Sequence, residues 1–176
     1  MPMFEKLRSL ILCGLLISLT TFGPAVAGGA LDDLEYRYPC STPANGPLDL
    51  VFGSREDAAV SLGFQYGRPY LNVNDRVAFD QPYIVVAFEY FAACEMAQEL
   101  TAQDLSIAAR DTAFAEDMLA EFDCRALDML FRLGVARSYG DANQLLDFLD
   151  YRKGEDRYLQ VPFWRRAENI DRLCPP

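Results

Sequence analysis

Hydrophobic periodicity changes once along this chain, near residue 80, and that change most constrains the fold. Val60, Leu62, Phe64 and Tyr66 alternate with Ser61, Gly63, Gln65 and Gly67. This is the period of two of a half-buried strand. Leu48–Phe52 reads as a short strand before it. Gly67-Arg68-Pro69 reads as a turn, Tyr70–Val73 as a partner strand, Asn74-Asp75 as a second turn and Val77–Phe79 as a third short strand. Residues 48–79 therefore predict a small antiparallel meander.

Beyond it the spacing becomes three and four. Asp80 can cap a helix with Pro82 in its first turn, and Ile84, Ala87, Phe88, Phe91 and Cys94 form its stripe. The β-branched and aromatic residues of Tyr83–Phe91 keep a strand open as an alternative there. Thr101 with Asp104 predicts the next start, with Leu105, Ala108, Ala109, Thr112, Ala115 and Leu119 on one face. Asp123 is read as the cap of a third helix carrying Leu127, Leu130, Phe131, Gly134 and Val135. Gly140-Asp141 ends it and opens a fourth, Ala142–Tyr151, with Gln144 closing a capping box on Asp141. Lys153–Asp156 is a polar turn, and Pro162 starts a last helix, Phe163–Leu173. The predicted class is α+β and α-dominant: an N-terminal antiparallel meander followed by four to five helices.

The N-terminus indicates where such a chain works. Lys6 and Arg8 precede an uncharged, Leu-rich run from Ser9 to Phe22, Gly23-Pro24 breaks it, and Ala25-Val26-Ala27 supplies small residues. These are the three parts of a secretory signal, predicting cleavage after Ala27 and a periplasmic or secreted product. Association with a membrane would require residues 1–27 to stay attached as an anchor. Cys13 follows Leu10-Ile11-Leu12 inside the apolar run, which does not suit a lipidation site. The remaining 149 of 176 residues divide into an extended, acidic lead-in, 28–47, and one globular domain, 48–176. Cys40, Cys94, Cys124 and Cys174 remain in this part, and an even count in an exported chain predicts two disulfides. Four cysteines allow three connectivities and sequence does not choose among them. We take Cys40–Cys94 with Cys124–Cys174 as the working assignment, because Cys174 would then staple the C-terminal segment to the core.

Missing residue types narrow the chemistry. The chain has no histidine, so Ser-His-Asp and Cys-His catalysis have no base within it. Lys153 is the single lysine after residue 27 and no Ser-x-x-Lys motif or phosphate loop occurs. No Cys-x-x-Cys pair occurs either, and no cofactor or metal site is signalled. Asp141, Asn143 and Asp147 take positions 1, 3 and 7 of a calcium loop, but Leu146 and Arg152 stand where Gly and Glu are needed. Removing residues 1–27 takes acids from 26 to 25 and bases from 16 to 14, leaving a charge of −11. Such a surface repels nucleic acid and anionic headgroups and steers cationic partners, if it does more than maintain solubility.

Three groups are candidate sites. The acidic cluster Glu95, Glu99, Glu116, Asp117 and Glu121 offers carboxylates for glycan hydrolysis or a solvated helix face. Phe163, Trp164, Arg165 and Arg166 put the single Trp beside two arginines, the residue types that dominate binding surfaces. The same four could equally dock a last helix on the core. Phe64, Tyr66, Tyr70, Phe79, Tyr83, Phe88, Tyr90 and Phe91 could line a ligand pocket or fill the core. The expectation is a small exported, acidic, non-catalytic protein that binds a cationic or envelope-associated protein, as inhibitor, immunity-type protein or accessory subunit. A carboxylate-dependent glycan hydrolase and a small-ligand binder are the alternatives.

Overall fold

The computed structural model describes residues 27–154 and 160–174. The leader lies outside them except for Ala27, as do Glu155 and Asp156 of the polar turn. The fold is α+β and mostly helical, with small sheets near its N-terminal end and helices after them.

The predicted extended lead-in is corrected first. Ala27–Arg37 forms a helix, α1, with Leu31 and Leu34 buried one turn apart. Those two side chains dock the segment on the core, and an Asp33–Arg37 ion pair at i,i+4 supports its outer face. A short antiparallel pair follows, β1 (Ser41–Thr42) with β2 (Gly46–Pro47).

The main sheet holds β3 (Leu50–Phe52), β4 (Val60–Gln65) and β5 (Arg68–Val73) in the order β3-β5-β4. The β4–β5 hairpin is antiparallel, as the alternation predicts, but β3 runs parallel to β5. The hairpin turn is Tyr66-Gly67, both at positive φ (52° and 77°). Two positive-φ residues match the twist of a two-residue hairpin loop. This tight turn places β5 beside β4, and β3 joins at β5's other edge. The chain then crosses β5 through residues 53–59 to begin β4. That crossing puts Glu56 against the sheet: it accepts hydrogen bonds from the Ser61 hydroxyl and from Asn72 Nδ2 (3.2 Å), while Asn74 Nδ2 donates to its backbone carbonyl (2.5 Å). Ser61 is therefore buried, although alternation alone would place it toward solvent.

The third predicted strand is also corrected. Residues 77–79 lie in α2 (Asp75–Asp80), whose first turn is capped by Asn74 Oδ1 accepting from Val77 N at 3.3 Å. The cap decides the outcome, because it starts a helix where hydropathy alone allowed a strand. α3 (Tyr83–Glu99) starts after Pro82, not Asp80, and is buried almost continuously from Val85 to Cys94. It is the central helix: β4, α1, α5 and α6 pack on it.

α4 (Ala102–Ala108) opens with the predicted Thr101/Asp104 capping box. The hydroxyl and N–H of Thr101 hold the Asp104 carboxyl below its ordinary range. α5 runs unbroken over Thr112–Arg132, capped by Asp111. The predicted break at Asp123 is absent, since that carboxylate is occupied within the core rather than by backbone N–H groups. α6 (Tyr139–Tyr151) begins three residues earlier than expected, with Ser138 and Asp141 forming the box. α7 (Phe163–Leu173) starts after Pro162 as predicted. Seven helices stand among the described residues, against the four or five expected; α1 and α2 are the additions.

Two disulfides link Cys40 to Cys94 and Cys124 to Cys174. The first ties the segment after α1 to α3, and the second holds the end of α7 on α5. No helix among the described residues is long and apolar enough to cross a membrane.

Candidate functional site

Charge inside the core is bound in three places. Glu89 lies mid-α3 and is 1% exposed. It accepts from Ala59 N at 2.6 Å, from Val60 N at 3.4 Å and from Arg152 Nη1 at 2.5 Å. Burial pushes its carboxyl above the ordinary range, against the pull of Arg152, Arg166 and the two N–H groups. Asp123 takes Arg166 in a two-pronged pair, Nε–Oδ2 3.0 Å and Nη2–Oδ1 2.6 Å, with both side chains buried. The Arg152 and Arg166 guanidinium carbons stand 4.1 and 5.8 Å from the Phe163 ring centre. Glu56, on the sheet, is the third. These groups join α3, α5, α6, α7 and the sheet, and so act as cross-links within the fold.

The four residues of the Trp-Arg segment divide. Phe163 and Arg166 are buried, whereas Trp164 is 46% exposed, with Arg165 beside it. Arg165 reaches Glu116 at 3.5 Å and Glu168 at 2.6 Å.

The acidic group divides too. Glu95, Glu99 and Glu121 converge on Arg125 across the α3–α5 seam, Glu116 faces Arg165, and Asp117 is exposed. Glu99 and Glu121 hold the Arg125 guanidinium above its ordinary pKa, hydrogen bonding to Glu99 contributing most.

Nor do the eight aromatics share a pocket. Phe88, Tyr90 and Phe91 are buried, Phe64, Tyr70 and Tyr83 are half-buried, and Tyr66 and Phe79 are exposed. The Tyr90 hydroxyl donates to Tyr38 O (2.8 Å) and accepts from Cys40 N (3.1 Å). Burial holds its phenol up to about 12. Asp141, tested above as a calcium ligand, caps α6 instead, and N–H groups of Arg137 and Ser138 hold its carboxyl below the ordinary range.

One surface feature was not among the three candidate sites of the sequence. A groove of about 470 Å³ runs between Gln81, in the α2–α3 connection, and the C-terminal half of α6. Its α6 wall is Gln144, Asp147, Phe148 and Tyr151, a single helical stripe at i, i+3, i+4 and i+7, with Arg152 at the end. Phe148 and Tyr151 are exposed. Gln81 Oε1 and Arg152 Nη2 are both buried without a hydrogen-bond partner among the described residues. The Arg152 side chain is 8% exposed, and its other terminal nitrogen is held by Glu89. A lone acid inside the apolar run 84–94 was the one sequence signal, since an interior Glu requires a cation or several donors nearby. Nothing local named Arg152, 63 residues on.

The class defined so far is a disulfide-linked α+β fold with a mixed three-stranded sheet around one buried helix. No protein-family model, curated protein or solved structure matches the chain.

Proposed function

We propose that this chain is a small exported, acidic, non-catalytic protein that acts by binding another protein, as an inhibitor, immunity-type protein or accessory subunit of an envelope complex. The observation that carries this reading is the distribution of its carboxylates. Buried ones are tied into the fold, and the rest lie along helix and loop surfaces. Each of four grooves is lined by a single carboxylate: Asp75, Asp128, Asp147 and Asp49. Glycan hydrolysis without histidine calls for two that face each other across a cleft. A surface with an excess of negative charge is instead suited to steering a cationic partner. The two disulfides are consistent with an extracytoplasmic setting. Export by a signal removed after Ala27, to the periplasm or the medium, belongs to the same proposal.

The test is capture of partners by the tagged, exported protein from envelope and secreted fractions, in low and moderate salt. A stoichiometric protein partner released by salt supports the reading, because exposed charges are screened beyond about 8 Å at physiological ionic strength. Absence of a partner in both salts refutes it.

A further inference from the structure

We propose that the groove between Gln81 and α6 takes an extended peptide segment of the partner, holding it by one backbone amide unit and one apolar side chain. This rests on the protein-binding reading above. Burying a donor or acceptor without a partner costs on the order of 1–3 kcal/mol. Here one of each, Arg152 Nη2 and Gln81 Oε1, belongs to the two residues at opposite walls of the same groove, each atom buried beneath its surface. An extended peptide presents a carbonyl and an N–H at short intervals, so it can satisfy both.

Charge decides against an anion. Glu89 already neutralises the Arg152 guanidinium, and the groove itself carries Asp147. Asp150 stands one turn along the exposed side of α6, and neither aspartate forms an ion pair among the described residues. The ligand group facing Arg152 is therefore a neutral carbonyl, and a lysine or arginine of the segment sits beside Asp147.

Phe148 and Tyr151 supply the apolar wall. The two polar atoms are covered, so entry requires a rim side chain to turn aside. Tyr151, 84% exposed, has surface free to meet the segment's apolar side chain.

The experiment is panning of a random-peptide phage library on the protein purified after export. Selected sequences are then made as synthetic peptides and their affinities measured by calorimetry. The expected sequences carry an apolar residue flanked by lysine or arginine. Methylating the one backbone nitrogen that meets Gln81, Gln81→Leu, and Tyr151→Ala are each expected to weaken binding roughly tenfold, the equivalent of one hydrogen bond or one apolar contact. Tyr151 is so exposed that its variant keeps the test valid should Gln81→Leu fold poorly. Failure to enrich any sequence overturns the proposal. Equal binding by both variants, or preference of the groove for N-acetylated sugar oligomers over every selected peptide, also overturns it. A captured partner that both variants still hold refutes the groove alone and leaves protein binding standing. Absence of both partner and peptide refutes the two together.

Discussion

Replacing Arg152 with methionine removes the guanidinium that meets Glu89 at 2.5 Å inside the core. Breaking a buried pair by deleting one partner costs about 3–5 kcal/mol. Part of that is returned, because Nη2, a buried donor with no partner among the described residues, is deleted with it. Relief of such a group is worth about 1–3 kcal/mol, which leaves a net loss of about 2 kcal/mol. With a urea dependence near 2 kcal/mol per molar for a domain of this size, the unfolding midpoint falls by roughly 1 M. The loss depends on pH in a defined direction. A carboxyl whose pKa in the folded state is raised contributes most stability at low pH and loses it as pH rises through the folded value. Glu89 is already raised by burial, and loss of Arg152 raises it further. The gap between the two proteins should therefore be wide near neutral pH and narrow at acid pH, as Glu89 takes up a proton. Glu89→Gln in the Arg152→Met background should recover much of the neutral-pH loss. Urea titrations followed by circular dichroism at the two pH values measure all three quantities. An equal shift at both pH values, or no recovery by Glu89→Gln, would refute the assignment of Glu89 as a charge held by Arg152.

Tyr90→Phe leaves Tyr38 O and Cys40 N without the phenol oxygen between them and should cost about 1–3 kcal/mol by urea unfolding. In the unaltered protein, an ultraviolet titration should show one tyrosine ionising only near 12. Because that folded value lies above the unfolded one, stability should also decline once pH passes about 10. Replacing Cys124 and Cys174 together by serine frees a loop of 50 residues. It should lower stability by roughly 4 kcal/mol and increase amide exchange in α7 ahead of α3. Gly63→Ala places a Cβ 2.6 Å from Tyr70 Cζ and 2.7 Å from Asn72 Nδ2, the atom that donates to Glu56. A loss of about 1–3 kcal/mol is expected, with a lower thermal midpoint as the readout.

Much of the fold was legible where the deciding interaction is local. The Thr101/Asp104 box and Pro162 before α7 each act within about four residues and formed as read, while the alternation of 60–67 gave a strand that stops at Gln65, turns at Tyr66-Gly67 and buries Ser61 as well. Errors arose where a local sign had a distant competitor. Asp123 looks like a cap, yet its carboxylate is taken by Arg166, 43 residues away, and α5 continues through it. The Leu31 and Leu34 pair was hidden among acidic residues and prolines that suggested an extended segment, while packing on the core made it helical. Of the candidate residues, the Trp-Arg segment split into a buried half and an exposed half, because a helix of 11 residues turns successive side chains to different faces.

The sequence by itself determined the class of each long element, the starts of α4 and α7, the stock of cysteines and the acidic balance. Tertiary structure decided that β3 joins β5 in parallel, that Glu89 finds Arg152, and that Gln81 shares a groove with one face of α6. The physical reason lies in range. Periodicity and capping come from neighbours in the chain, whereas desolvation requires that a buried charge be paired without specifying which distant residue will pair with it.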